Sequence, residues 1–314
     1  IGFIDEASTL SVDKKILLVS HMELGKEHSD QKSILKYCRE NNIFSNKYEQ
    51  VLLNAGLKPH SWNIKTPTES TFRSRSLLFF AAGIYIANKI SPQCQLIVPE
   101  NGTISINIPL DSGRRSSCST RTTHPTFIKR IQEALYTIGI SNSIYNPYRL
   151  KSKADMVLEC CQDTSKKAIL KSLVDLSCSC AKRGHNVFWD KSGIEIRNAK
   201  IKHCGMCLPC LYRRVALDTI GLDNEALLGT DVLHDIKFNL DNKHQKRNRD
   251  FNALLYFLKN RMNERTIRQE LFFNGIIEKQ ELDEYTSLAL HSYRQVINWL
   301  KKKATNEIQI RAGI

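Results

Sequence analysis

Apolar residues fall in short runs over the first hundred positions and at helical spacing towards the end of the chain. Lys14-Lys15 precede Ile16-Leu17-Leu18-Val19-Ser20, a run of strand length that predicts a buried strand. Ile34, Leu35, Tyr37 and Cys38 then recur as one helical face until Asn41-Asn42, a turn-forming pair. Gln50-Val51-Leu52-Leu53 suits a helix end or a strand, and His60–Ile64 reads as a second strand. From Ser74 to Lys89 the positions Leu77, Leu78, Ala81, Ile84, Tyr85 and Asn88 predict a helix capped by Ser74. Gln95-Leu96-Ile97-Val98 predicts a third strand, and Pro99-Glu100-Asn101-Gly102 turns the chain out of it.

Further on, Phe127, Ile128, Ile131 and Leu135 predict a helix, followed by a loop around Asn146-Pro147-Tyr148 and a helix over Lys166–Val174. Beyond Gly229 the pattern is mostly helical. Its clearest element is Lys279–Lys303, where Leu282, Tyr285, Leu288, Ala289, Val296, Trp299 and Leu300 share one face. Strands alternating with helices predict a parallel sheet, whose ligands gather beyond the carboxyl ends of the strands. That rule directs attention to the segments after Ser20, Ile64 and Val98, in or near which lie His21, Ser74, Arg75, Glu100 and Asn101. Ile1–Ala7 reads as the tail of an apolar helix, so an upstream segment is expected.

Charge is the first departure from ordinary composition: 46 Lys and Arg against 32 Asp and Glu leave a net charge of +14. Such an excess favours anionic partners such as nucleotides, nucleic acid or acidic proteins, although a solvated basic surface needs no partner. The best apolar run, Leu77–Ala82, is far short of a membrane span. Together with the lack of a recognisable leader, this gives the expectation of a soluble, cytoplasmic chain without a membrane partner.

Of ten cysteines, Cys38, Cys94, Cys118, Cys160 and Cys161 are scattered, as reduced core residues would be. The other five are Cys178, Cys180, Cys204, Cys207 and Cys210. Cys204-Gly205-Met206-Cys207-Leu208-Pro209-Cys210 places three thiols in a tight turn, and Cys178 or Cys180 can supply a fourth, with Cys178 the first choice. Four thiolates suit a closed, structural zinc site, with an iron–sulfur cluster as the rival. Ser119-Thr120-Arg121-Thr122-Thr123-His124-Pro125 combines hydroxyls, a guanidinium and an imidazole before a helix. That pattern suits phosphate or carboxylate recognition, and equally a polar helix-capping loop.

In this order the motifs resemble the QueC family of 7-cyano-7-deazaguanine synthases. They are closest to the QueC-like proteins of bacterial antiviral gene clusters of the Qat type, over roughly residues 1–220. The carrying residues are Ser74-Arg75-Ser76-Leu77-Leu78-Phe79, Glu100-Asn101-Gly102, Arg121-Thr122-Thr123-His124-Pro125, the cysteine motif and Arg213-Arg214. The resemblance implies an α/β fold with a Rossmann-like parallel sheet of PP-loop type over 1–172. A zinc-knuckle segment over 173–235 and a helical C-terminal extension over 236–314 would follow. It implies ATP with Mg2+, adenylation of a 7-carboxy-7-deazaguanine-type acid, and transfer to ammonia or an amine of a partner protein from the same defence cluster. Cys178, Cys204, Cys207 and Cys210 would hold structural Zn2+. Ser20, His21, Arg75, Ser76, Glu100, Asn101, Arg121, Thr122, Thr123 and His124 would contact ATP or substrate.

The family's Ser-Gly-Gly-x-Asp-Ser loop is not in the 314 residues and is expected just upstream of Ile1. Ser76 stands where the synthases carry Asn, and the Arg121–Pro125 segment replaces their Tyr-Pro-Asp-Cys-Arg, which leaves the acceptor open. Two other classes compete. One is a catalytically inactive, zinc-stapled basic scaffold for a partner or nucleic acid. The other is a sulfur-moving tRNA enzyme that uses Cys118 or Cys180.

Overall fold

Ile16–His21 forms β1 and Tyr48–Leu53 forms β2, paired in parallel from Ile16↔Tyr48 to His21↔Leu53. The computed structural model describes residues 1–21, 26–53, 73–111, 122–183, 189–234 and 245–314. The expected strand at 60–64 and residue Arg121 lie outside the described residues. So does the side chain of Arg75. The chain divides into two compact units that interleave along the sequence: 1–99 with 120–147 and 168–177, and 100–119 with 148–167 and 178–314.

In the first unit, α1 (Gly2–Thr9) precedes β1, and α2 (Lys26–Glu40) crosses to β2. The Lys47 ammonium donates to the carbonyls of Ala7 at 3.0 Å and Leu10 at 3.1 Å, putting a cation on the negative end of α1. Phe3 stacks edge-on against Phe44 and Tyr48, which fixes α1 beside the start of β2. The turn at 41–46 is left-handed at Asn42, Phe44 and Asn46, in line with the Asn41-Asn42 break in the pattern.

α3 (Arg73–Ile90) packs on β1 and on β3 (Leu96–Ile97). Gly83 permits the approach to β3, since a Cβ there would lie 2.6 Å from a Leu96 methyl. β3 pairs in parallel with β4 (Ile144–Tyr145), which follows α5 (Pro125–Thr137). Among the described residues the strands therefore make two separate two-stranded parallel sheets rather than one sheet.

Asn142, fully buried, holds the β3–β4 end together. Its amide donates to the carbonyls of Ser91 and Cys94 at 2.8 Å, and its oxygen accepts from Asn88 at 2.8 Å. Gln132 bonds the Asn142 carbonyl and the Ile144 amide, so α5 sets the position of β4.

The second unit is helical. It contains α4 (Gly102–Ile106), α6 (Lys153–Cys160), α8 (Gly193–Asn198) and α9 (Leu208–Asp218). α10 (Gln245–Asn260), α11 (Glu264–Phe273), α12 (Lys279–Lys303) and α13 (Asn306–Ala312) follow, while α7 (Thr164–Leu173) spans the boundary between the two sets of residues. All seven apolar positions expected on one face of α12 are buried. α12 packs on α4, α9 and α11, and α6 packs on α9. A Cβ on Gly102 would lie 2.2 Å from the Arg149 carbonyl oxygen, so the 100–102 turn sits directly on the segment leading into α6. No described helix is long and apolar enough to cross a membrane.

Removing the Asn142 amide strands two carbonyls and the Asn88 donor. Asn142→Ala is expected to lose about 2–4 kcal/mol of unfolding free energy in a urea titration, against under about 1 kcal/mol for the exposed Gln93→Ala.

Candidate metal centre

Cys180, Cys204, Cys207 and Cys210 bring their four sulfurs within 4.8 Å of one another. Cys180 comes from the segment after a 3-10 turn at Val174–Leu176; the other three lie on the 204–210 turn and the start of α9. The Cys204 and Cys210 sulfurs are 3.8 Å apart, and those of Cys207 and Cys210 are 3.3 Å apart. A disulfide bond is about 2.05 Å, so these are free thiols. A tetrahedron of metal–sulfur bonds of about 2.3 Å has sulfur–sulfur edges of about 3.8 Å. The set therefore fits one tetrahedral ion such as zinc. In a four-iron cluster each cysteine binds a different iron, which would spread the sulfurs more widely.

The choice of Cys178 as fourth ligand is corrected to Cys180. Cys178 points its thiol at the Lys202 carbonyl, 3.6 Å away. Cys178 and Cys180 stand only two positions apart, so sequence spacing cannot separate them. The difference lies in the hydrogen bonds: the amides of Lys182 and Cys204 both donate to the Cys180 sulfur at 3.3 Å. The amides of Met206 and Cys207 do the same for Cys204, at 3.4 and 3.3 Å. Such donors favour the ionised sulfur that a metal requires.

Contact with Cys180 holds the thiols of Cys204 and Cys207 below the ordinary range. The reciprocal contacts push Cys180, chiefly through Cys204, and Cys210, chiefly through Cys180, upward. The sulfurs alone cannot all ionise side by side. A divalent cation among them removes that conflict.

The surrounding backbone fixes the turn. Gly205 has φ +82°, and a Cβ would lie 2.2 Å from the Thr230 carbonyl oxygen, so both its conformation and its space demand glycine. His203 forms a parallel bridge with Leu228, and its carbonyl accepts from Gly229 at 2.8 Å. Trp189 is buried against Gly229, where a Cβ would meet its ring at 2.3 Å; its role here is packing. Burial, with Arg213 adding to it, holds the His203 imidazole down to about 3, so the ring is neutral and accepts from the Ser179 amide at 3.3 Å. Cys207 caps α9, whose first turn carries Cys210 beside Pro209. One turn later Arg214, almost fully buried, bonds Asp223 at 3.1 Å and Glu225 at 2.7 Å and lies over Trp299 of α12. A second group, Glu225, Asp231 and His234, is satisfied by its own pairs, Glu225 with Arg214 and Asp231 with His234.

The remaining expected site residues fall in both units. In the first, Ser20 and His21 end β1, and the His21 ring lies 6.0 Å from Phe79 on α3. Ser76, one turn earlier on α3, bonds Thr122 at 2.7 Å. Thr123 and His124 are buried, and His124 begins α5 without a side-chain cap. In the second unit Asn101 caps α4 through Ile104 at 3.0 Å, and its amides donate to Glu100. Lys153, which the sequence reading missed, stands at the start of α6, with Glu100, Arg213, Cys210 and Cys207 acting on its charge. A capping box was its signal: Ser152 accepts from the Asp155 amide, and Asp155 bonds back. No family model, curated protein or solved structure matches the chain.

Purified protein is expected to carry about one zinc per chain. Cys180→Ser, like Cys207→Ser, should lose it together with folding stability, whereas Cys178→Ser should keep it, as read by metal analysis and thermal unfolding. Gly205→Ala should cost about 1–3 kcal/mol through left-handed strain alone, and more if Thr230 cannot move; a zinc-competition titration with a chelator should show weaker metal binding.

Proposed function

We propose that this protein is a QueC-like, ATP-dependent ligase acting in antiviral defence, of Rossmann-like PP-loop architecture. The carrying observation is the four-thiol group, closed by Cys-Gly-x-Cys-x-x-Cys, in a chain whose other unit pairs its strands in parallel between helices. Further support comes from the first unit, where Ser76 of the Arg-led helix bonds Thr122 of the Thr-Thr-His segment, two motifs far apart in sequence.

In this reading the carboxylate of a 7-carboxy-7-deazaguanine-type acid attacks the α-phosphorus of Mg2+-bound ATP. An acyl–oxygen–phosphorus bond forms, and pyrophosphate leaves. An amine then attacks the acyl carbon, AMP departs with the bonding pair, and the amine proton passes to solvent or a nearby base. Activation replaces a poor leaving oxygen by AMP, and holding the amine in line supplies much of the rate. The amine belongs to ammonia or to a partner protein. The net charge of +14 suits an acidic partner as well as the anionic substrates.

The reading predicts release of AMP and pyrophosphate that depends on the deazaguanine acid. When the partner encoded beside the gene is added, intact mass spectrometry should find it heavier by the acyl group. Absence of acid-dependent AMP would remove the enzyme reading and favour a metal-stapled scaffold. AMP release without a heavier partner would restrict the acceptor to ammonia or another small amine.

A further inference from the structure

In the first unit, α3 is apolar around its whole circumference, yet only one side of it is covered. Ser76, Phe80, Gly83, Ile84 and Ala87 are buried, and α3 packs on β1 and β3. At 3.6 residues per turn those five fall within about one-third of the circumference. Leu77, Leu78, Ala81, Ala82, Tyr85 and Ile86 occupy the remainder, all of them partly or fully exposed, with Leu77 at 55% and Tyr85 at 62%. A surface helix ordinarily turns polar residues outward, and a helix apolar on every side is ordinarily buried.

Between Ser76 and Ile90 the outer arc holds two polar side chains. Asn88 is turned to Asn142, its amide donating at 2.8 Å, and the Lys89 ammonium lies over the Tyr85 ring, 5.7 Å from its centre. Opposite the buried side, Leu78, Ala82, Tyr85 and Lys89 follow one another at spacings of four, three and four. That is the seam along which one helix receives another, and Ala82, a small residue at its middle, lets the second helix come close.

Charge selects among the helices that could lie there. α3 carries Arg73, Arg75 and Lys89 and has no Asp or Glu anywhere in its length. A second copy of α3, laid parallel or antiparallel, would bring basic residues to basic residues with no acid to answer them. An acidic helix meets neither objection.

We infer that the outer face of α3 docks an amphipathic helix of a partner protein, acidic on the margins of its apolar seam. Tyr85 is the aromatic anchor of the contact, and Lys89 the cation at its carboxyl end. The inference stands on the exposed face of α3 and is independent of the ligase reading.

The test uses the zinc-loaded full chain and two labelled synthetic peptides of the length of α3. Both carry leucines at the four-three-four spacing; one has glutamates at the flanking positions and the other lysines. Binding is read by fluorescence anisotropy, self-association by sedimentation equilibrium, and the folding of each variant by thermal unfolding. The glutamate peptide is expected to bind at least tenfold more tightly than its lysine twin. Tyr85→Glu should weaken it at least tenfold, Tyr85→Phe should keep it, and Lys89→Glu should shift the preference towards the lysine peptide. Phe273→Glu, at an exposed apolar position of the other unit, should leave binding unchanged. If Tyr85→Glu fails to fold, the exchange of preference in Lys89→Glu decides. No binding, equal binding of both peptides, or an equal loss in Phe273→Glu overturns the site. A dimer that Tyr85→Glu dissociates also overturns the inference, by putting a second copy where the acidic helix should lie. Acid-dependent AMP release plays no part in these readouts, so its failure would sink the ligase reading alone.

Discussion

Four sulfurs within 4.8 Å of one another are the constraint from which the helical unit is built. Neutral thiols attract each other weakly, and four thiolates repel strongly; only a cation between them makes the arrangement favourable. The surrounding chain accepts costs to keep it. Gly205 takes a left-handed conformation against Thr230, and four amides turn towards Cys180 and Cys204 instead of towards other backbone groups.

From this centre order passes along α9. Its first turn carries Cys210, and the next carries Arg214, whose buried charge is matched by Asp223 and Glu225 and covered by the Trp299 ring. A buried pair of this kind is costly to break once formed, because the surviving partner keeps its desolvation penalty. The position of the long helix α12 is thus linked to the cysteine turn through one guanidinium.

Much of this was legible in the sequence where a pattern was long or chemically restrictive. The apolar face of Lys279–Lys303 had enough turns to declare itself, and the three cysteines of the turn were fixed by spacing. Other features depended on local detail. β3 and β4 have two residues each, too few for alternation to appear, and the position of β4 is set by a side chain, Gln132, on the preceding helix α5. Cys178 and Cys180 offer the same residue type at nearly the same spacing; backbone donors alone distinguish them. Lys153 had a readable capping box around it, but Glu100 and Arg213, which act on its charge, are far from it in sequence. The family resemblance directed attention to motifs in both units, and the contacts now add one specific meeting, Ser76 with Thr122.

X-ray absorption at the zinc edge of the purified full chain addresses the central claim directly. The account predicts a first shell of four sulfurs at about 2.3 Å and no nitrogen, with His203 left outside as the neutral acceptor of the Ser179 amide. A shell containing nitrogen or oxygen, or a protein whose bound metal is iron, would contradict it.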